Sequence, residues 1–146
     1  MNTFTLDPRL KNDCHVLGKM GVSHLLLMNN ALFPWFILVP ETKAVELCDL
    51  DRDSRILLQE ETDRTARFVK DHFPVDKLNV AAIGNVVRQL HVHVIGRRTD
   101  DPCWPGVVWG AGMTKPYSDE KRDTLVRLVR SCFPSPLLSF RRSMSD

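Results

Sequence analysis

"RQLHVHVIGRR", residues 88–98, is the stretch on which the reading of this chain turns. Apolar Leu90, Val92 and Val94 alternate with Gln89, His91 and His93. Alternation with a period of two marks a strand with two unlike faces. The apolar set then looks into a core, and Gln89, His91 and His93 line the other face at about 6.5 Å intervals. A slip of one residue would swap the faces, so the apolar set pins the register.

Working outward, "KLNVAAI" (77–83) reads as a partner strand joined through a turn at Gly84–Asn85. Before it, Leu58, Thr62, Thr65 and Val69 recur at helical spacing, with Leu57, Ala66 and Phe68 beside them. Glu60, Glu61, Asp63, Arg64 and Arg67 are expected on the solvated side. Asp49 or Asp51 can cap this long helix, and Pro74 stops it near His72–Phe73. Further upstream, "HVLGKM" (15–20), "SHLLLMN" (23–29) and "WFILVP" (35–40) are short apolar strands, the first two joined at Gly21. After the histidines, "DPCWPGVVWGAGMTKPY" (101–117) is irregular. A last helix is expected from Ser118 to Cys132, with Asp119 and Glu120 at its positive end. Strands, long helix, strands, helix is the order of an α+β domain with an antiparallel sheet.

The 146 residues suit one domain, 1–146, with its core at about 14–110 and a C-terminal helix and tail over 111–146. A net charge of +2 with scattered basic residues leaves no footprint for nucleic acid. The most apolar run, residues 24–40, is broken by Asn29, Asn30 and Pro34, too early for a membrane span. Cys14, Cys48, Cys103 and Cys132 form no C-x-x-C pair and read as free thiols of a reducing compartment. Residues 1–13 lack the basic-then-apolar pattern of a secretion signal. The expectation is a soluble cytoplasmic protein. The tail "SPLLSFRRSMSD" (135–146) reads as partly ordered.

Two histidines on one strand face admit three readings. They can be the polar side of a half-exposed strand. They can be two ligands of a zinc or iron site, whose third ligand would have to be Asp100 or Asp101. Or one can be a nucleophile. A neutral imidazole can attack an α-phosphorus and form a covalent phosphoramidate, splitting one displacement into two. Its other nitrogen must then hold the proton and donate it to a fixed acceptor, such as the backbone carbonyl two residues earlier.

The segments agree, in order, with the histidine triad (HIT) family of nucleotide hydrolases and transferases. "QLHVHVIGR" resembles their strand of alternate histidines, and "LLLMNNALFPWFILVP" resembles their N-terminal region. "LNVAAIGNVVRQLHVHV" resembles the strand–turn–strand core, and "WPGVVWG" is similar to the endings of bacterial diadenosine-tetraphosphate-hydrolase-like members. The resemblance implies a HIT-like fold of about five antiparallel strands, a long helix and a C-terminal helix. It implies His91 as nucleophile, His93 on the phosphate, and Gln89 where the family usually has histidine. Asn29 resembles the ribose-binding residue, and Asn79 an amide near the phosphates. Gly84, Asn85 and Val86 resemble the phosphate-approaching turn. Leu27 and Leu38 fall where the base pocket would be. Asn29 and Asn85 read equally as turn residues, and the leucines as core. Trp104 and Trp109 either pack a tail or close the site.

The activity implied is hydrolysis or nucleotidyl transfer at the α-phosphate of a dinucleoside polyphosphate or nucleoside phosphoramidate, through a nucleotidyl-histidine intermediate. No cofactor or metal is required, although divalent ions can accompany a polyphosphate. A homodimer is implied as well. Gln89 has no titratable proton, so the alternative is a nucleotide-binding or sensing module with little turnover.

Overall fold

The computed structural model describes residues 3–133. Helix α1 (Pro8–Asp13) leads into β1 (Cys14–Lys19), β2 (Ser23–Met28) and β3 (Trp35–Pro40). A 3-10 turn, Leu47–Asp49, precedes α2 (Arg52–His72). Then come β4 (Lys77–Ala81), β5 (Val92–Arg97) and α3 (Asp119–Cys132). The five strands form one antiparallel sheet in the order β1-β2-β3-β5-β4. This is the expected α+β architecture, with five antiparallel strands, one long helix and a C-terminal helix.

One face of the sheet is the main core. Leu25 and Leu27 of β2, Phe36 and Leu38 of β3, and Val92 and Val94 of β5 meet Leu58, Phe68 and Val69 of α2. Leu125 and Val129 of α3 and Phe133 close the same cluster. The opposite face is a second cluster around Leu26, Trp35, Ile37, Val39 and Ile95, roofed by Phe4, Leu6, Leu10, Val108 and Trp109. The alternation in 90–95 therefore sorts as expected: Leu90, Val92 and Val94 into the main core, His93 and Ile95 to the other side.

The caps also follow local chemistry. Asp51 accepts from the Ser54 N–H at 2.8 Å, and Ser118 accepts from the Lys121 N–H at 3.2 Å. Asp7 caps α1, a helix not expected from periodicity because six residues carry too little of it.

Three expectations are corrected. Glu61 is not on a solvated face: it is 7% exposed, and its Oε1 accepts the Val22 N–H at 2.7 Å. That contact secures the β1–β2 turn, where a Cβ on Gly21 would meet Glu61 Oε1 at 3.2 Å. Leu57, by contrast, is exposed. Finally, β4 and β5 are joined by a long connection, 82–91, rather than a tight turn, and β5 starts at Val92 rather than Gln89. Leu38 faces Val92, so continuing the register would set Leu90 against Pro40, which has no N–H to donate. The stretch 135–146 lies outside the described residues.

Candidate active site

The two histidines are held in different tautomers. The His91 Nδ1–H donates to the backbone carbonyl of Gln89 at 2.7 Å. A carbonyl only accepts, so the proton of neutral His91 sits on Nδ1 and the Nε2 lone pair is free. His93 is the reverse. Its Nδ1 accepts the indole N–H of Trp35 at 3.0 Å, which places the proton of the neutral ring on Nε2. Burial, and then the neighbouring His91, push the His93 pKa down to about 3. His93 is thus a neutral hydrogen-bond donor at physiological pH. The rings lie 4.9 Å apart and steeply tilted. Trp109 packs against His93 at 5.2 Å and against Trp35 at 6.2 Å, so the ring is boxed by two indoles.

Both histidines line a cleft of about 710 Å³ on this face of the sheet. One wall is α1, with Arg9, Leu10 and Asp13; another is the 108–114 segment, with Trp109 and Met113. The floor between them is the connection that carries Gly84, Asn85 and Val86. Gly84 has φ +70, a conformation that glycine adopts without strain, and it lines the cleft beside the histidines. A smaller hollow of about 300 Å³ adjoins, sharing Ile83, Gly84 and His91 and adding Arg88, Glu46 and Cys48. A ligand crossing His91 could therefore have one portion on each side of the ring.

Of the residues singled out in the sequence, His91, His93, Gly84, Asn85, Val86 and Trp109 come together here. The others do not. Leu27 and Leu38 are 0% exposed and lie in the main core under α2, on the opposite face of the sheet. Strand parity decides this: Leu38 pairs with Val92, and Ile37 with His93. Asn79 shares the histidine face, but its Oδ1 accepts from Arg97 Nη1 at 3.0 Å and it does not line the cleft. Asn29 Oδ1 accepts the Tyr117 N–H at 2.9 Å, and its neighbour Asn30 lines the cleft instead. Asn30 is itself committed, accepting from Leu32 and Lys115 N–H groups and donating to the Met113 carbonyl. It ties the 113–115 wall to the end of β2. Gln89 lies outside the strand and lines neither cavity; its carboxamide bonds to the backbone of Thr5 and Asp7.

Trp35, the tautomer-setting partner of His93, stands in the sequence only as a strand residue, because its role depends on a neighbour 58 positions away. The metal reading loses its third ligand. Asp101 forms a bidentate pair with Arg97 at 2.7 and 2.9 Å, and Asp100 pairs with Arg98. Arg97 is 1% exposed, with Phe33 and Trp104 rings each 5.6 Å from its guanidinium. Arg97 holds the Asp101 carboxyl below the usual carboxylate range. Trp104 therefore packs this buried pair, while Trp109 closes the site. Among the described residues, no helix is long and apolar enough to cross a membrane.

Comparisons with known proteins point to one family and one fold. The HIT domain family matches residues 9–100. A histidine triad protein of Sinorhizobium meliloti is 42% identical, with a TM-score of 0.84 over 87% of this chain and 95% of that one. One from Bradyrhizobium japonicum is 38% identical, with a TM-score of 0.86 over 89% and 98%. One from Marinobacter aquaeolei is 37% identical, with a TM-score of 0.86 over 90% and 96%. No curated protein matches.

Proposed function

The chain belongs to the HIT domain family, and on that premise we propose that it is a nucleotide hydrolase or nucleotidyl transferase acting at an α-phosphate. The observation that carries this reading is the His91 Nδ1–H bond to the Gln89 carbonyl at 2.7 Å, which in the neutral ring puts the free lone pair on Nε2, on a residue that lines both cavities. In the first step the Nε2 lone pair attacks the α-phosphorus. A P–N bond forms as the bond to the leaving group breaks, and the leaving group takes the electron pair. In the second step water attacks, the P–N bond breaks, and a nucleoside monophosphate departs. His93 Nε2–H donates to a phosphoryl oxygen, and Gly84–Val86 approach the same charge from the backbone.

Gln89 and neutral His93 are both poor proton donors. A leaving group that departs as a stable anion, the remaining nucleotide of a dinucleoside polyphosphate, is therefore favoured over an amine, which must be protonated to leave. This supports the diadenosine-tetraphosphate-hydrolase-like branch over phosphoramidase activity. Divalent ions would accompany the polyphosphate chain, and the active form would be a cytoplasmic homodimer.

Wild type and His91→Ala are incubated with diadenosine tetraphosphate and with adenosine phosphoramidate, and the alkali-quenched protein is examined by mass spectrometry. The expected result is an adenylyl adduct on His91 in wild type, and turnover of the tetraphosphate that His91→Ala loses. Equal turnover by the two proteins refutes the nucleophile. Tight AMP binding without product over hours establishes the binding module instead.

A further inference from the structure

We infer that Gln89 is a positioning residue, whose side chain stands in for the backbone N–H and C=O of a strand residue and clasps the N-terminal strap so that α1 forms a wall of the cleft. Gln89 Oε1 accepts the Asp7 N–H at 2.8 Å, and Gln89 Nε2 donates to the Thr5 carbonyl at 2.9 Å. The two partners flank Leu6 on one chain. This is the pair of bonds that the backbone N–H and C=O of one residue in a parallel strand make to the residues on either side of the one it faces. A primary carboxamide has the same donor and acceptor side by side, and both bonds settle which end is oxygen. An imidazole has one donor and one acceptor too, but they diverge across the ring and cannot serve both groups at once.

The clasp lies where it controls the cleft. Asp7, held by Gln89 through its N–H, is also the N-cap of α1, its carboxylate accepting the Arg9 N–H at 2.8 Å. The helix so started presents Arg9, Leu10 and Asp13 to the cleft. A second anchor lies just upstream, where Phe4 stacks on His24 with the rings 4.9 Å apart and 10° from parallel. Leu6 and Leu10 pack into the cluster behind the histidines. Gln89 thus has two ends: its carbonyl orients His91, and its carboxamide fixes the wall facing His91. That the wall contacts nucleotide rests on the function proposed above; the clasp itself does not.

The test uses the full chain with Gln89→Met, which keeps the length and volume but makes neither bond, and Gln89→Ala as a second variant. Hydrogen exchange is followed in peptides covering 3–13, and steady-state kinetics with diadenosine tetraphosphate. Strap amides should exchange about tenfold faster in both variants, the factor expected for losing ~1.4 kcal/mol of paired bonds. KM should rise by a larger factor than kcat falls. Gln89→His should behave like Gln89→Met and gain no turnover. Unchanged exchange overturns the clasp. Faster exchange with an unchanged KM overturns the wall. A collapse of kcat with the strap still protected makes Gln89 catalytic and overturns both. Exchange needs no substrate, so failure of the nucleotide reading leaves the clasp decided.

Discussion

Acidification should destabilise this protein through His93 well before its carboxylates titrate. The ring is 5% exposed, its Nδ1 is spent on the Trp35 N–H, and burial pushes its pKa down to about 3. In the unfolded chain the same imidazole has a pKa of about 6.5. The folded value is the lower one, so the contribution is complete above pH 6.5 and is lost as pH falls from there towards 3. Below pH 6.5 the unfolded chain binds a proton that the folded chain refuses. Well below pH 6.5 each further pH unit removes about 1.4 kcal/mol, and the loss between pH 6.5 and 4.5 is roughly 2 kcal/mol. The carboxylates held low, such as Asp101 beside Arg97, lose their share only below about pH 4. The window from 6.5 to 4.5 is therefore dominated by histidine. Urea unfolding of wild type and His93→Asn at pH 7, 5.5 and 4.5 isolates the term, since the other histidines are common to both. Wild type should lose ~2 kcal/mol or more relative to the variant across that range. Parallel stability–pH curves for the two proteins would refute a buried neutral His93, and with it the assignment of its proton to Nε2.

Two further outcomes test the scaffold that positions the site. Asp101→Asn leaves the buried Arg97 guanidinium without its counter-charge and should cost about 3 kcal/mol or more, measured by urea denaturation, with Asp100→Asn as a near-neutral surface control. Gly96→Ala would place a Cβ 2.8 Å from Pro34 Cγ and Val75 Cγ2 and 2.9 Å from Val69 Cγ1, so thermal unfolding should show a loss of about 1–3 kcal/mol from overpacking between β5 and α2.

The strand of histidines was legible because its alternation is local. Leu90, Val92 and Val94 mark the buried face whatever partners they meet, and the opposite face follows by parity. Both main helices were legible for a similar reason: Asp51 and Ser118 cap them by bonds to residues three further along. The base pocket was not legible. Leu27 and Leu38 differ from true cleft residues only in which face of the sheet they occupy, and that depends on the pairing of β3 with β5. Glu61 and Arg97 look like surface charges in the sequence. One is buried because the Val22 N–H needs an acceptor, the other because Asp101, Phe33 and Trp104 surround it.

What the amino-acid sequence determined by itself was the fold class, the apolar face of the histidine strand, and the placing of His91 and His93 side by side opposite that face. Each rests on contacts within a few positions along the chain. What only the tertiary structure decided was the state of those residues: which nitrogen of each ring carries the proton, and what Gln89 does. These depend on the Trp35 indole and on the backbone of Thr5 and Asp7, 58, 84 and 82 positions from their partners. A hydrogen bond fixes a tautomer only through the group that arrives, and no periodicity in the sequence announces an arrival from so far away.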